Sequence, residues 1–316
     1  MQSKITLGVS SCLLGNEVRY DGGHKLDRFI RDTLGRYVEF VPVCPEVECG
    51  MGIPREALRL VGDPESPRLV TQKTSKDYTD QMLEWGSKRL EDLADMELCG
   101  YIFKSRSPSS GMERIKVYQE NGMPVNKGVG IWARMFMQRF PDLPVEDDGR
   151  LHDPVLRENF ITRIFVMQRW RELLRSNKSL AGLVDFHSRH KLLIMAHHVP
   201  TYRELGKLVA AGKQMPLQEL FPTYLHKLHY ALRLHSTRKK NVNVLQHIMG
   251  YFKKHLSADE KQELLEIINE YKAGNLPLIV PVTLLNHYTR KYDQLYLRNQ
   301  YYLTPHPLEL RLRNHV

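Results

Sequence analysis

The chain has 316 residues, with 46 Lys and Arg against 36 Asp and Glu, and only four cysteines. This length suffices for two ordinary domains, each with its own core. No run approaches the roughly 20 consecutive apolar residues that a membrane-spanning helix needs, and the N-terminal apolar segment is too short for a signal peptide. We therefore predict a cytoplasmic protein, in which so few cysteines favour metal binding or catalysis over a disulfide framework.

Charge is distributed unequally along the chain. Residues 1–150 carry 21 Lys and Arg against 23 Asp and Glu, whereas residues 151–316 carry 25 against 13, so the second half holds the whole positive excess. Cationic side chains that neutralise phosphates release counterions and give affinity for nucleic acids without sequence preference. The second half is therefore typical of a polyanion-binding domain. Solvated basic helix faces are the alternative that charge alone leaves open.

The first half alternates strand-like and helix-like segments. The β-rich runs KITLGVSS, YVEFVPV and LCGYIFKS have the length expected of buried parallel strands. The segment HKLDRFIRDTLG, with helical spacing, lies between the first two, and a longer helical segment with Thr74 or Ser75 as its N-cap lies between the second and third. This βαβ order predicts a mostly parallel sheet with helices on its faces.

The second half has no convincing strand. Amphipathic runs follow one another, among them ENFITRIFVMQRWRELLRS, LVDFHSRHKLLIMAHH and the long YLHKLHYALRLHSTRKKNVNVLQHIMGYFKKHL. We predict an α/β domain over residues 1–150 and an all-α domain over residues 151–316. The predicted boundary is FPDLPVEDDGRLHDP, where acidic residues and a glycine lie between prolines.

Chemically reactive side chains follow each of the three predicted strands. In chain order they are Cys12, then Cys44 and Glu46, then Ser107, Ser109 and Ser110 of the segment SRSPSSG. In an open parallel sheet, the ligand site lies outside the carboxyl ends of the strands, at a switch in strand order. We therefore expect these side chains to meet in one site.

Two of the cysteines, Cys44 and Cys49, lie five positions apart in the segment PVCPEVECGMGIPRE. Zinc sites usually take four Cys and His ligands in paired short spacings, and no CxxC motif or neighbouring His completes such a set here. Iron–sulfur clusters need only cysteines on loops that converge. From spacing alone, a cluster and buried structural cysteines remain alternatives.

Three segments of the first half resemble the motifs of the DUF523 family, whose thiouracil desulfidase members hold a 4Fe-4S cluster. The segments are VSSCLLGNEVRYDGG, VCPEVECGMGIPR and KSRSPSSGMERIKVY, in this order. The second half, with FHSRHKLLIMAHH, YRELGKLVA and LPLIVPVTLLNHYTRKYDQLYLRNQYYLTPHP, is similar to DUF1722. The two-domain order resembles that of fused desulfidases that act on 4-thiouridine in transfer RNA.

This resemblance implies roles for particular residues. Cys12 and Cys44 match two cluster ligands, Glu46 matches the catalytic carboxylate, and Ser107 matches the catalytic serine. An iron atom without a protein ligand would bind the sulfur of a C=S group as a Lewis acid. Glu46 would deliver hydroxide to the ring carbon, and Ser107 would donate a hydrogen bond or relay a proton. No net oxidation or reduction is needed.

The chain departs from the family pattern at Ser110, where the third cluster cysteine belongs. A neutral hydroxyl is a much poorer iron ligand than a thiolate. Three outcomes are therefore open: a cluster held weakly through Ser110, a cluster that takes Cys49 as a substitute ligand, or loss of the cluster.

The basic half supplies candidate contacts to transfer RNA. They are Arg238, Lys239, Lys240, Lys253 and Lys254, on or beside one long predicted helix, and Arg290 and Lys291, which lie among the tyrosines of HYTRKYDQLYLRNQYY. Lys and Arg can follow phosphates without reading bases, and tyrosines can stack on exposed bases. The alternative is that the tyrosines belong to the helical core while the basic residues face water.

Two histidine pairs also stand out, His187 with His190 and His226 with His229, each three positions apart. This spacing suits a zinc site on one helix face, and it suits packing or capping equally well.

Three functional hypotheses follow. The leading one is a transfer RNA 4-thiouridine desulfidase. The second is a desulfidase of free thiolated pyrimidines such as 2-thiouracil. The third is a non-catalytic RNA-binding protein whose cluster site has decayed, an alternative that Ser110 leaves open.

Overall fold

The first part of the chain contains all the β-strands found in residues 4–315, which are the residues described by the computed structural model. The chain divides into two units between Leu156 and Arg157. The strands are β1 (Ile5–Ser10), β2 (Val38–Val43), β3 (Leu58–Val61), β4 (Arg68–Thr71), β5 (Tyr101–Phe103), β6 (Ile115–Tyr118), β7 (Pro124–Gly128) and β8 (Val145–Asp147). The α-helices of the first unit are α1 (Pro45–Glu48), α2 (Thr79–Asp95) and α3 (Ile131–Arg139).

Four parallel strands in the order β2-β1-β5-β8 form the sheet that carries the site. The chain places β2 on one side of β1 and β5 on the other, so the strand order switches at β1. A Cβ atom at Gly8 would lie 2.3 Å from the Tyr101 ring, which explains a glycine inside this buried strand. The predicted α/β fold with a mostly parallel sheet is confirmed.

The fourth strand comes from the segment that the sequence predicts as a domain boundary. β8 pairs with β5 in parallel, with Val145 opposite Tyr101 and Asp147 opposite Phe103. Its two carboxylates are held by Arg150, whose Nε donates to Glu146 at 2.6 Å and whose backbone N–H donates to Asp147 at 2.9 Å. Pairing with β5 therefore outweighs the polar, turn-like composition of this segment.

A second sheet, in the order β4-β3-β6-β7, was not predicted. β3 and β6 are parallel, and each pairs with an antiparallel outer strand. Its apolar residues share a core with α2, in which Leu60, Leu69, Met82 and Val117 are fully buried. The strands are short and include charged residues, so they give no continuous apolar run in the sequence.

Two helices predicted in the first unit differ from the observed structure, one in where it begins and the other in its length. α2 begins at Thr79, so the predicted caps Thr74 and Ser75 precede it. Thr74 instead donates its hydroxyl to Glu56 at 2.7 Å. The segment HKLDRFIRDTLG forms only a short π-helical turn, Phe29–Thr33, followed by a 3-10 turn.

The second unit is helical, as predicted. Its helices are α4 (Pro154–Ser176), which begins just before the division, α5 (Leu180–His197), α6 (Val199–Ala210), α7 (Leu217–Arg233), α8 (Arg238–Met249), α9 (Ala258–Ala273), α10 (Ile279–Lys291) and α11 (Leu295–Arg298). Within residues 4–315, none of the helices combines the length and apolar character needed to cross a bilayer.

The one long helix predicted around residues 224–256 is wrong, because two helices occupy this stretch. α7 ends at Arg233, and Leu234 is extended. Thr237 then caps α8, its hydroxyl accepting from the backbone N–H of Lys240 at 3.4 Å. A threonine that satisfies the free N–H groups of a helix start favours a new helix over continuation of the old one.

Candidate active site

A pocket of about 330 Å³ lies at the carboxyl ends of β1, β2 and β5. It is the place where parallel-sheet geometry predicts a ligand site. The predicted site residues that line it are Cys12, Cys44, Glu46, Ser107 and Ser110. The three loops that carry them therefore converge, as the strand ends predict.

Short helical turns position the first three of these residues. A 3-10 turn, Ser11–Leu14, directly follows β1 and carries Cys12. Cys44 follows β2 in an extended conformation at the start of α1, and Pro45 is the first residue of that helix. Proline suits this position because the first helical N–H has no partner within the helix. Glu46 comes next, so its carboxylate lies beside the thiol of Cys44.

A tight turn positions the serines. The Ser107 hydroxyl oxygen accepts from the backbone N–H groups of Ser109 at 3.3 Å and Ser110 at 3.1 Å. The N–H of Gly111 closes the turn by donating to the Ser107 carbonyl at 2.8 Å. A Cβ atom at Gly111 would lie 2.7 Å from that carbonyl oxygen, so the turn requires glycine there.

The Glu46 carboxylate is held on both oxygens. Ser109 donates its hydroxyl to Oε1 at 2.5 Å. On the other side, the Cys44 thiol lies 3.5 Å from Oε2 and Nη2 of Arg55 lies 3.8 Å from it. The sequence analysis named Ser109 in this loop but assigned it no role. It did not predict Arg55 as a site residue, and the only indication in the sequence was that Arg55 lies in the segment PVCPEVECGMGIPRE.

The pocket thiols are held in the protonated form by their surroundings. Burial, and next the negative charge of Glu46, raise the pKa of Cys12 to about 11 and that of Cys44 to about 12. A bound cation reverses this preference, because a coordinated thiol loses its proton. Both thiols would therefore lose their protons on binding a metal ion.

Cys49 is not brought to the pocket. It is buried in the hydrophobic core beside Met51 and Met82. Its thiol donates to the backbone carbonyl of Glu46 at 3.4 Å. Burial also raises the pKa of Cys49, to about 11.

Four cationic side chains line the pocket: Arg19, Arg55, Lys104 and Arg106. Lys104 is paired with Asp148 at 2.8 Å, and Arg19 lies 3.4 Å from Asp21. Arg106 is exposed. The carboxylates of Glu46 and Glu56 line the same pocket, so its charges are mixed.

The seven basic residues predicted to bind RNA fall into two groups. Six are exposed: Arg238, Lys239, Lys253, Lys254, Arg290 and Lys291. Lys240 is partly buried, and Lys240 and Lys291 both make internal contacts. Lys240 donates to the carbonyls of His197 and His235, at 2.6 and 2.9 Å, and Lys291 donates to Glu260 at 2.6 Å. Of the tyrosines among which Arg290 and Lys291 lie, Tyr288 and Tyr302 are buried, and the other three are partly buried.

One histidine pair is bound into the helical core. His187 shares a hydrogen bond of 3.0 Å with the Tyr224 hydroxyl. His190 accepts from Nε of Arg169 at 3.1 Å and contacts the Phe186 carbonyl at 2.7 Å. Within residues 4–315, no three His, Cys, Asp or Glu side chains are grouped as a metal site. Packing therefore accounts for this pair.

Comparison with known proteins identifies both halves of the chain. Residues 7–148 match the family described as 2-thiouracil desulfurase, and residues 191–307 match DUF1722, a family of unknown function. The uncharacterized protein YbgA of Escherichia coli (strain K12) is 32% identical over 158 residues, covering 50% of this chain and 94% of YbgA. The uncharacterized protein YbbK of Bacillus subtilis (strain 168) is 30% identical over 135 residues, covering 41% of this chain and 88% of YbbK.

A solved structure also matches, that of the [4Fe-4S]-dependent thiouracil desulfidase TudS. It is 26% identical, with a TM-score of 0.39, and the match covers 48% of this chain and 95% of that one. From the family matches and the curated relatives, we conclude that the chain belongs to the two-domain proteins that join a 2-thiouracil desulfurase (DUF523) domain to a DUF1722 domain, and thus to a family of carbon–sulfur bond-cleaving desulfidases.

Proposed function

We propose that the protein removes sulfur from 4-thiouridine in transfer RNA and leaves uridine. The observation that carries the proposal is the pocket at the carboxyl ends of β1, β2 and β5, where the Glu46 carboxylate, the serine turn and two thiols meet. Its volume of about 330 Å³ lies in the range of small-molecule sites.

The donor set fits a 4Fe-4S cluster at Cys12 and Cys44, with the Ser110 hydroxyl in the third ligand position. Both cysteines are free thiols that line the pocket, and thiolates are the usual protein ligands of such clusters. When bound, the cluster would supply an iron atom that attracts the soft sulfur of a C=S group and acts as a Lewis acid. Cys49 is not in the proposed set, because its thiol lies in the hydrophobic core.

Glu46 is the proposed general base. It takes a proton from water while the water oxygen bonds to the ring carbon that carries sulfur. The carbon–sulfur bond then breaks, and the sulfur leaves as hydrosulfide. Oxygen replaces sulfur at the same oxidation level, so the reaction consumes only water.

Ser107 is the proposed hydrogen-bond donor to the substrate. It lines the pocket, and its oxygen already accepts two backbone N–H groups. These contacts fix the oxygen and leave its single proton to be directed toward a neighbouring oxygen or to the ring nitrogen or sulfur of a bound base.

The second unit supports transfer RNA as the substrate. Residues 151–316 carry 25 Lys and Arg against 13 Asp and Glu. Near the exposed Lys253 and Lys254, Tyr251 is 36% exposed and stacks on Tyr296 with ring centroids 5.1 Å apart. An aromatic face among cations suits single-stranded or extruded bases. The target base must leave its stack to reach a pocket of this kind.

The test compares substrates on the full-length protein after anaerobic iron and sulfide reconstitution. Transfer RNA that contains 4-thiouridine is incubated with the protein, digested to nucleosides and analysed by mass spectrometry. Free 4-thiouracil and 2-thiouracil are measured in parallel. We expect kcat/KM to be at least about tenfold higher for transfer RNA, the gain that about 1.4 kcal/mol of additional binding supplies. Equal or better turnover of a free base would instead identify a desulfidase of thiolated pyrimidines.

A second candidate is RNA binding without desulfuration. Ser110 favours it, because a neutral hydroxyl in the third ligand position is a much poorer iron ligand than a thiolate. Reconstituted protein that binds transfer RNA but retains no iron would identify this function.

A further inference from the structure

Ser109 is buried in the first unit and connects two groups that line the pocket. Its side chain is 0% exposed. Its hydroxyl oxygen lies 2.5 Å from Oε1 of Glu46, 2.9 Å from the hydroxyl oxygen of Ser107 and 3.4 Å from that of Ser110. Ser109 is therefore connected to the pocket through these three neighbours, of which Glu46 and Ser107 are the nearest.

The direction of these hydrogen bonds follows from the number of protons. A serine hydroxyl has one proton to donate and two lone pairs. Ser109 donates to the Glu46 carboxylate, so its oxygen must act as the acceptor toward Ser107. The Ser107 oxygen in turn accepts the two backbone N–H groups of the turn. The proton order is therefore Ser107 to Ser109 to Glu46.

We propose that Ser109 is a positioning residue that holds Oε1 of Glu46 and joins Ser107 to Glu46 in one proton relay. The inference rests on the proposed hydrolysis. After Glu46 has taken a proton from water, the hydroxyls of Ser109 and Ser107 rotate and the resting donor order reverses. The Ser107 oxygen gives up the longer of its two backbone contacts, the N–H of Ser109 at 3.3 Å, so that one lone pair is free. The carboxyl O–H of Glu46 then donates to the Ser109 oxygen, Ser109 passes its own proton to Ser107, and Ser107 passes its proton to the leaving sulfur. Three O–H bonds break, while two O–H bonds and one S–H bond form, and no electrons are exchanged.

The position of Arg55 beside the other carboxylate oxygen of Glu46 explains why Ser109 is needed to hold the carboxylate in place. Arg55 lies 3.8 Å from Oε2, just beyond hydrogen-bond distance, and both side chains are largely buried. A charge-assisted hydrogen bond between them is shorter and stronger than the present contact. Without Ser109, we expect the carboxylate to turn toward Arg55 and away from the serine turn.

The kinetic test uses Ser109→Ala and Ser109→Thr, measured on transfer RNA that contains 4-thiouridine. The alanine variant loses the hydroxyl, and we expect kcat to fall about 100-fold, the lower end of the range for proton-transfer catalysis, while KM stays within about twofold. The threonine variant keeps the hydroxyl, and we expect it to recover most of the activity. Thr289→Val, which removes a buried hydroxyl from α10, is the matched control and keeps wild-type kcat.

Two further measurements distinguish a failure of the Ser109 proposal from a failure of the proposed function. Iron content per chain must equal that of the wild type, because the proposal leaves the cluster ligands unchanged. Crystal structures of the alanine variant and the wild type must show the Glu46 carboxylate moved to within about 3 Å of Arg55 in the variant. Unchanged kcat in an active protein, or an unmoved Glu46, overturns the proposal. An inactive wild type overturns the proposed function instead, and the two crystal structures then still decide whether Ser109 positions Glu46.

Discussion

The Cys44 thiol lies 3.5 Å from Oε2 of Glu46, across the first turn of a four-residue helix. A proposed iron ligand and a proposed general base are thus fixed to each other by the local backbone. Pro45 lies between them and begins the helix, so the backbone positions of the two residues are fixed relative to each other, and Ser109 holds the carboxylate in its present orientation.

Replacement of Glu46 by glutamine tests the role of the carboxylate. Glutamine has nearly the same shape but cannot accept a proton from water, so we expect kcat to fall by at least about 100-fold. Iron content and the affinity for transfer RNA should stay at wild-type values, since glutamine preserves the packing around Cys44. If the glutamine variant keeps more than about a tenth of wild-type activity, Glu46 is not the base.

Replacement of Ser110 by cysteine tests the ligand set. A third thiolate beside Cys12 and Cys44 should bind iron more tightly than the hydroxyl does, so we expect more iron and sulfide per chain after reconstitution and slower loss to a chelator. Cys49→Ala is the control, because that thiol faces the core and its loss should leave iron content unchanged. A fall in iron content with Cys49→Ala would place Cys49 among the ligands.

The double substitution Lys253→Ala with Lys254→Ala tests the second unit as an RNA-binding domain. Each contact with a phosphate releases counterions, so losing two should weaken binding and lower the slope of log affinity against log salt by about 1 to 2. The control, Lys76→Ala with Lys88→Ala, removes the same charge from the first unit. Equal losses from both pairs would indicate general electrostatic attraction instead of a site.

His197 makes the stability of the second unit depend on pH. Burial is the main cause that lowers its pKa to about 4, with Lys240, Arg313 and His235 adding repulsion and the Leu234 carbonyl opposing the shift. The unfolded chain therefore takes up a proton near pH 6.5, before the folded protein does. Stability contributed by neutral His197 is present above pH 6.5 and falls progressively down to about pH 4.

We expect His197→Asn to flatten this part of the pH profile. Asparagine can donate to the Leu234 carbonyl, as the histidine Nδ1 does at 2.7 Å, but it does not titrate. Urea unfolding at several pH values between 4 and 7, monitored by circular dichroism, measures the effect. If the free energy of unfolding changes with pH in the same way in the variant and the wild type, His197 is not the cause of the pH dependence.

The sequence was sufficient to locate the site but not to describe its contacts. β1, β2 and β5 are apolar runs, and reactive residues follow each of them, so convergence of Cys12, Cys44 and Ser107 was predictable from sheet geometry alone. The hydrogen bond between Ser109 and Glu46 joins residues 63 positions apart, and no local pattern marks it. Arg55 follows Glu46 by nine residues in the segment PVCPEVECGMGIPRE, and no local pattern marks its approach to the carboxylate.

The elements that were missed depend on tertiary pairing. β8 is a three-residue strand with two carboxylates, and it is a strand only because β5 offers a parallel edge. The break between α7 and α8 falls in a stretch whose apolar spacing continues across it, and it is marked only by the capping residue Thr237.

The most direct test of the proposed function is the stoichiometry of the reaction on transfer RNA. Wild-type and Glu46→Gln proteins, both reconstituted anaerobically, are incubated with transfer RNA that contains 4-thiouridine, and the loss of 4-thiouridine, the gain of uridine and the release of sulfide are measured together. The proposal predicts equal amounts of all three with the wild type and almost none with the variant. Loss of 4-thiouridine without sulfide release, or equal turnover by both proteins, would contradict hydrolysis in this pocket.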